Sequence, residues 1–488
     1  MENFDLIIIG GGAGAFAAAI KANELGAKIL MVNHGLPLGG TCVNVGCIPS
    51  KNLLKAGEVL YLSQQHNFNG IKLRVDEFDF GKTIQEELDI VSAMRKEKYE
   101  DVLKNLQNVT NISGRAEFVS PTEIEVDAPH FSADLADSRG KQKYQGKKFV
   151  IATGSTANVP AIPGIKEVGY LTHIEALANQ KQPKSLIIIG AGPLGLEFAQ
   201  MFHHFGTKVI VLQRGSTILP RVEPEIASAL QKYLSDEGIE LYTEAETLSV
   251  RKEGVEKVVK AKINKFVTSV IKGIEQEFRA EEVLLASGKT ANTKDLNLQV
   301  AGVEIDDRQA IKVNEYQKTS QDHIFAVGDV TNQKLRLETI AGREGTLAAK
   351  NALTGSHDGI NYWQVPYAVF TYPAVAGIGM TDAEVIESGG RCNCNTIDFS
   401  KVPKAGAIKD TRGVIKMVIN IENRKILGIH MVAPEAADII NQGIYILKGE
   451  MTVDDVIDSL PVFPTLSESI KIAALSFTTD ITKLSCCV

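Results

Sequence analysis

An α/β fold with two Rossmann-like domains and a C-terminal α+β domain is predicted by three observations on this 488-residue sequence. A strand, a glycine-rich turn and a helix stand together near the N-terminus. The same order recurs from residue 185. From about residue 357 the pattern changes to short alternating segments, which read as antiparallel strands.

The first unit starts with a strand from Asp5 to Ile9. Gly10-Gly11-Gly12-Ala13-Gly14-Ala15 follows and opens an alanine-rich helix. This is G-x-G-x-x-G/A. Gly10 permits the tight turn, Gly12 lets a pyrophosphate approach the backbone, and Ala15 is small enough for helix–strand contact. The helix N-terminus adds unpaired N–H groups and partial positive charge. A second strand, Lys28 to Val32, ends at Asn33, where an acid normally holds the ribose hydroxyls. Asn33 can still hydrogen-bond a ribose.

In the second unit Ser185 to Ile189 is a strand, Gly190-Ala191-Gly192-Pro193-Leu194-Gly195 is a full G-x-G-x-x-G, and Leu196 to Phe205 is a helix. Lys208 to Leu212 is the next strand. It ends in Gln213-Arg214, with Arg221 further on, where an acid would select NAD. A guanidinium pairs with a 2′-phosphate, so NADPH is favoured over NADH. Two such units in one chain predict two bound dinucleotides, the layout of a flavin enzyme supplied by a nicotinamide cofactor.

Ile151-Ala152-Thr153-Gly154-Ser155, then Pro160, Pro163 and Gly164, read as the exit from the first domain. Ala286-Ser287-Gly288-Lys289 marks the return crossing. Phe325-Ala326-Val327-Gly328-Asp329 is a short strand ending in Gly-Asp. Later, Val414 to Ile419 and Ile426 to Met431 read as strands, and about 434–448 and 467–476 as helices.

Composition excludes several function classes. The chain is 44% hydrophobic and 23% charged, which rules out a disordered protein. A net charge of -7 without a basic cluster gives no reason to expect nucleic acid or an anionic membrane as partner. No apolar run is long enough to cross a membrane, and the N-terminal run lacks a positive leader. A cytoplasmic location is expected, where few cysteines at chosen spacings suggest catalysis or metal chemistry.

The six cysteines are Cys42, Cys47, Cys392, Cys394, Cys486 and Cys487. Gly39-Gly40-Thr41-Cys42-Val43-Asn44-Val45-Gly46-Cys47-Ile48-Pro49-Ser50-Lys51 follows directly on the first unit. Four residues between thiols can form one helical turn that brings both sulfurs to one face. A disulfide there could accept electrons from a reduced flavin.

Gly39 to Lys51 resembles the redox-active motif of the pyridine nucleotide–disulfide oxidoreductases. Ala152-Thr153-Gly154, Glu197 after the second glycine turn, Gly328-Asp329 and Phe370-Thr371-Tyr372-Pro373 extend the resemblance over essentially the whole chain. It implies an FAD domain from 1–154 and 285–356, an NAD(P)H domain at 155–284, and a dimerisation domain at 357–488 of a homodimer. Gly40 and Thr41 would then adjoin FAD, together with Thr153, Gly154 and Gly288. Cys47 would be the thiol next to the flavin and Cys42 the interchange thiol. Asp329 would bind the ribityl chain, and Lys51 would pair with Glu197 beside the flavin.

Family members that act on thiols carry His-Pro-Thr-x-x-Glu near the C-terminus, the histidine being the acid/base. This chain has Phe463-Pro464-Thr465-Leu466-Ser467-Glu468. Phenylalanine cannot move a proton. The tail, Ser485-Cys486-Cys487-Val488, offers vicinal thiols to a soft cation. Both features resemble the mercuric reductases of the family. The resemblance implies Hg(II), or its thiol complexes, as substrate, with Cys42, Cys47, Cys486 and Cys487 as metal ligands. Pro193 and Thr465 stand where those enzymes often have tyrosine, and no N-terminal metal-binding domain is expected. A disulfide reductase for a small or protein thiol, and an FAD-holding thiol sensor, are the alternatives. Cys392-Asn393-Cys394 is expected to be incidental near a turn, and His430 structural.

Overall fold

The computed structural model describes residues 1–127, 141–266, 269–483 and 485. It divides into two compact units. The first comprises Met1–Ser50, Gln85–Asn158 and Gly288–Ile360, and the second Lys51–Ile84, Val159–Ser287 and Asn361–Val488.

In the first unit the central strand Glu2–Ile9 pairs in parallel with Ile29–Asn33 on one side and Lys141–Ile151 on the other. Val109–Ser113 and Ile324–Ala326 extend the parallel sheet, while Arg115–Ser120 and Glu123–Asp127 form an antiparallel wing. Leu6, Ile7 and Ile8 are fully buried, as a strand covered on both faces requires. The helices Ala13–Glu24 and Glu338–Thr354 pack together on one face. They meet at Gly14 and Gly345, where a Cβ on Gly345 would lie 2.1 Å from the Gly14 carbonyl oxygen. Ala15 is fully buried, packed in one cluster with Leu6 and Ile8 of the central strand.

The second unit contains two sheets. In one, Glu282–Leu285, Ser185–Ile189, Lys208–Leu212 and the start of Glu240–Glu253 are parallel, followed by the antiparallel strands Glu256–Phe266 and Ser269–Ala280. The other is wholly antiparallel, in the order Tyr367–Val369, Ala374–Gly379, Ile426–Ala433, Val414–Asn420, Cys392–Asp398. Its core includes Ile378, Met417, Ile429 and Met431, covered by the helices Asn441–Lys448 and Glu468–Leu475. Among the described residues no helix is long and apolar enough to cross a membrane.

Candidate active site

The cysteine motif departs from a single helical turn. Gly40–Val45 and Cys47–Gln64 are separate helices, broken at Gly46. The break needs glycine, because a Cβ there would stand 2.9 Å from the Thr41 carbonyl oxygen and 3.2 Å from Cys42 Cα. Gly40 also has no room for a side chain: its φ is +63° and a Cβ would lie 2.8 Å from Gly12 Cα. The motif is thus clamped against the first glycine turn. Cys42 is partly buried and Cys47 exposed. Cys47 is the first residue of an 18-residue helix, where the backbone dipole favours negative charge.

A residue missing from the sequence reading completes this cluster. Glu338 accepts a hydrogen bond from the Cys42 thiol through Oε2. The Tyr99 hydroxyl donates to its Oε1 at 3.2 Å. Ligand atoms of Cys42, Cys47 and Glu338 all lie within 4.8 Å of one another. The Cys42 thiol is pushed far above its ordinary pKa, first by its hydrogen bond with Cys47, then by burial, and further by the Cys47 and Glu338 charges. In sequence, Glu338 is only an acid opening a helix, which the helix dipole explains without a site.

The first glycine turn fits a dinucleotide. Gly10 has φ +134°, and a Cβ would stand 2.2 Å from the Ala152 carbonyl oxygen. Gly12 is the N-cap of the Ala13–Glu24 helix and supplies no side-chain cap, which leaves N–H groups for a phosphate. Asn33 turns toward the turn, its Oδ1 2.4 Å from where a Cβ on Gly11 would sit, and its amide donates to the Leu36 carbonyl at 3.0 Å. Thr153 donates to the Asn292 carbonyl at 2.8 Å, and the Asn292 amide returns a bond to the Thr153 carbonyl at 2.9 Å. Gly154 and Gly288 both have positive φ. Ser155 fixes the Asp329 carboxylate at 2.7 Å. Burial lowers the nearby Lys289 ammonium to about 8, with Asp329 opposing the shift.

In the second unit, Gly192 caps the Pro193–His204 helix, again without a side-chain cap. Gly195 must be glycine, since a Cβ would lie 2.1 Å from the Gly190 carbonyl oxygen. Gln213 is tied into the turn: its Oε1 accepts from the Ala191 N–H at 3.2 Å, and its amide donates to the Thr217 carbonyl at 3.1 Å. Arg214 is exposed just beyond the strand. Lys51 pairs with the nearly buried Glu197 at 2.7 Å. The other Glu197 oxygen accepts from the Phe370 N–H at 2.9 Å, and Lys51 Nζ stands 4.5 Å from the Phe370 ring centre.

Phe463 is half exposed, and Glu468 accepts from the Thr465 N–H at 3.1 Å. That carboxylate caps a turn. Cys486 and Cys487 lie outside the described residues.

Residues 4–345 match the family model for pyridine nucleotide-disulphide oxidoreductases, and residues 365–474 match that family's dimerisation domain. A mercuric reductase of Lysinibacillus sphaericus is 37% identical over 486 residues, spanning 100% of this chain and 85% of that protein. A mercuric reductase of Streptomyces lividans is 36% identical over 487 residues, 99% of this chain and 98% of the other. A Cu(II) complex of the HOCl-induced flavoprotein disulfide reductase RclA from Escherichia coli superposes with a TM-score of 0.84 at 26% identity, covering 98% of this chain and 100% of that one. With the glycine turns, the clamped cysteine motif and both family models in place, the chain belongs to the pyridine nucleotide-disulphide oxidoreductases, a family that implies FAD and a pyridine nucleotide.

Proposed function

We propose that this protein uses NADPH to reduce Hg(II) to Hg(0) at Cys42 and Cys47. One observation carries the reading. Where thiol-acting relatives need a histidine, Phe463 stands, and its neighbour Glu468 caps a turn. A proton-dependent dithiol exchange lacks its base there, whereas metal reduction needs none. The mercuric reductase relatives support the same substrate.

FAD, when bound, supplies two-electron transfer between the nicotinamide and the thiol pair. Gly10, Gly12, Ala15, Asn33, Gly40, Thr41, Thr153, Gly154, Gly288 and Asp329 would hold it, in a domain built from 1–154 and 285–356. Gly190, Gly192, Gly195 and Gln213, in 155–284, would hold the nicotinamide dinucleotide. Arg214 would pair with a 2′-phosphate and so select NADPH over NADH. Lys51, held by Glu197, would place a cation where negative charge develops on reduction.

The 357–488 region would join two copies; its exposed Leu460, Val462 and Phe463 are suited to an interface. Cys486 and Cys487 of the partner subunit would collect Hg(II) from external thiolates and pass it to Cys42 and Cys47. In each exchange one Hg–S bond forms as another breaks, and the incoming thiol's proton leaves with the departing thiolate. The balance is NADPH plus Hg(II) giving NADP+, a proton and Hg(0).

Likeness to the E. coli flavoprotein disulfide reductase supports a second reading, reduction of a disulfide. NADPH oxidation separates the two. Turnover that depends on Hg(II) in excess thiol is expected. Robust turnover of oxidised lipoamide or glutathione with no response to Hg(II) would establish the second reading.

A further inference from the structure

Cys392 and Cys394 sit at i and i+2 of the strand Cys392–Asp398, so both thiols project from one face of its sheet. Register identifies the face. Cys392 lies opposite Asn420, Cys394 opposite Val418 and Thr396 opposite Lys416. The other face carries Ile397, Ile415, Met417 and Ile419, all in the hydrophobic core. Structural free cysteines ordinarily behave as small core hydrophobes. These two stand on the face away from that core. It is the face of Lys416, whose ammonium binds Glu223 at 2.8 Å, Asp382 at 2.7 Å and Glu225 at 3.0 Å.

The two sulfurs are 3.8 Å apart and part-buried. The strand holds them there through its own bonds. Seven register pairs join it to Val414–Asn420. Asn393 Oδ1 accepts from the Cys394 N–H at 2.9 Å, and the Asn395 amide donates to the Ser476 carbonyl and hydroxyl at 3.0 Å. With metal–sulfur bonds of about 2.3 Å, sulfurs 3.8 Å apart subtend roughly 111° at the metal, close to tetrahedral. A linear two-coordinate ion would instead need the sulfurs separated by twice the bond length.

We propose that Cys392 and Cys394 form a second cation site, taking a thiophilic divalent ion of tetrahedral preference such as Zn(II) or Cd(II). The two thiolates fill two positions, and water or a small external thiol fills the others. Binding displaces both thiol protons to solvent and changes no oxidation state. The site draws on neither the cofactors nor Cys42 and Cys47.

Cd(II) titration of the oxidised, FAD-loaded full-length protein tests this, read by thiolate-to-cadmium charge-transfer absorption. Wild type is expected to take up one equivalent more than Cys392→Ser/Cys394→Ser. Each single serine variant, losing a ligand itself, should bind that equivalent at least about 10-fold more weakly. Equal uptake by wild type and the double variant overturns the proposal. If the double variant does not fold, wild type suffices. Cd(II) should then protect Cys392 and Cys394 together from maleimide alkylation in peptide mapping, and unchanged alkylation overturns the proposal.

Discussion

Two thiol pairs in this chain differ in everything except their element. Cys42 and Cys47 straddle a break between two helices, five residues apart, with the Glu338 carboxylate against Cys42. Cys392 and Cys394 share one strand, two residues apart, with an amide neighbour and no break. In the first pair a neighbouring thiol and a carboxylate both act on Cys42. In the second, burial comes first, then the Cys392 thiol, pushing Cys394 up to about 12. Spacing therefore sets which sulfurs meet, and the surrounding backbone and charges set what the pair is suited to. A helix N-terminus beside a glycine turn suits electron transfer with a bound cofactor; a rigid strand suits static ligation.

The largest predicted effect separates the pairs. Cys42→Ser or Cys47→Ser should lower Hg(II)-dependent NADPH oxidation by at least about 10³-fold, as loss of a covalently or coordinatively acting group does. Cys392→Ser/Cys394→Ser should change it less than about twofold. Steady-state rates with matched FAD content decide the matter, and a comparable loss in the strand variant would break the distinction.

Next comes the ground on which the second pair stands. Lys416 is almost wholly buried with three carboxylates, one of them, Glu223, with no exposure at all. Lys416→Met strands the Glu223 charge and should cost about 3–5 kcal/mol, the usual penalty for removing one partner of a buried pair. Denaturant unfolding measures it. A loss under about 1 kcal/mol would mean that the exposed sides of Glu225 and Asp382 already screen the cluster.

His430, opposite Lys416 in register, gives the same sheet a pH signature. Its Nε2 donates to the Met380 carbonyl at 3.0 Å, and its buried Nδ1 has no hydrogen-bond partner among the described residues. Burial lowers the imidazole from 6.5 to about 4. The folded state thus resists a proton that the unfolded state accepts. Its stability contribution is full above pH 6.5 and falls away as pH drops from 6.5 to about 4. The loss is on the order of 3 kcal/mol. Unfolding free energies across that window should slope less in His430→Gln than in wild type.

The sequence made the strands and both glycine turns legible because each rests on local physics. Ser185–Ile189 and Lys208–Leu212 are continuous apolar runs bounded by turn residues, and both appear with those limits. The helix break at Gly46 was hidden, because only the clash with Thr41 and Cys42 reveals why that glycine cannot continue the turn. The close approach of Gly14 and Gly345 was hidden because the two are remote in sequence. Which sheet face Cys392 and Cys394 occupy was not legible beside Gly389-Gly390, because the core side of the sheet is a tertiary fact. Glu338 had no motif at all, standing almost 300 positions from the thiol it touches.

Glu338 gives the smallest effect and the sharpest view of the first pair. Its hydrogen bond and then its charge rank behind the Cys47 hydrogen bond, burial and the Cys47 charge among the influences on Cys42. Glu338→Gln keeps a side chain of similar shape beside Tyr99, removes that charge and leaves one acceptor oxygen where the carboxylate offers two, to Cys42 and to Tyr99. The Cys42 thiolate becomes easier to form, so the thiol's pKa falls while remaining raised. At a fixed mildly alkaline pH, iodoacetamide should therefore alkylate Cys42 in the reduced enzyme faster, by less than about tenfold, since a tenfold change would require a full pKa unit. Peptide-resolved alkylation measures it, with Cys394 as the internal reference whose rate stays constant. An unchanged Cys42 rate would mean that Cys47 and burial alone hold the thiol protonated. A slower rate would mean that Glu338 draws the proton away from the sulfur, reversing the sign of its influence and making the carboxylate a base for the pair.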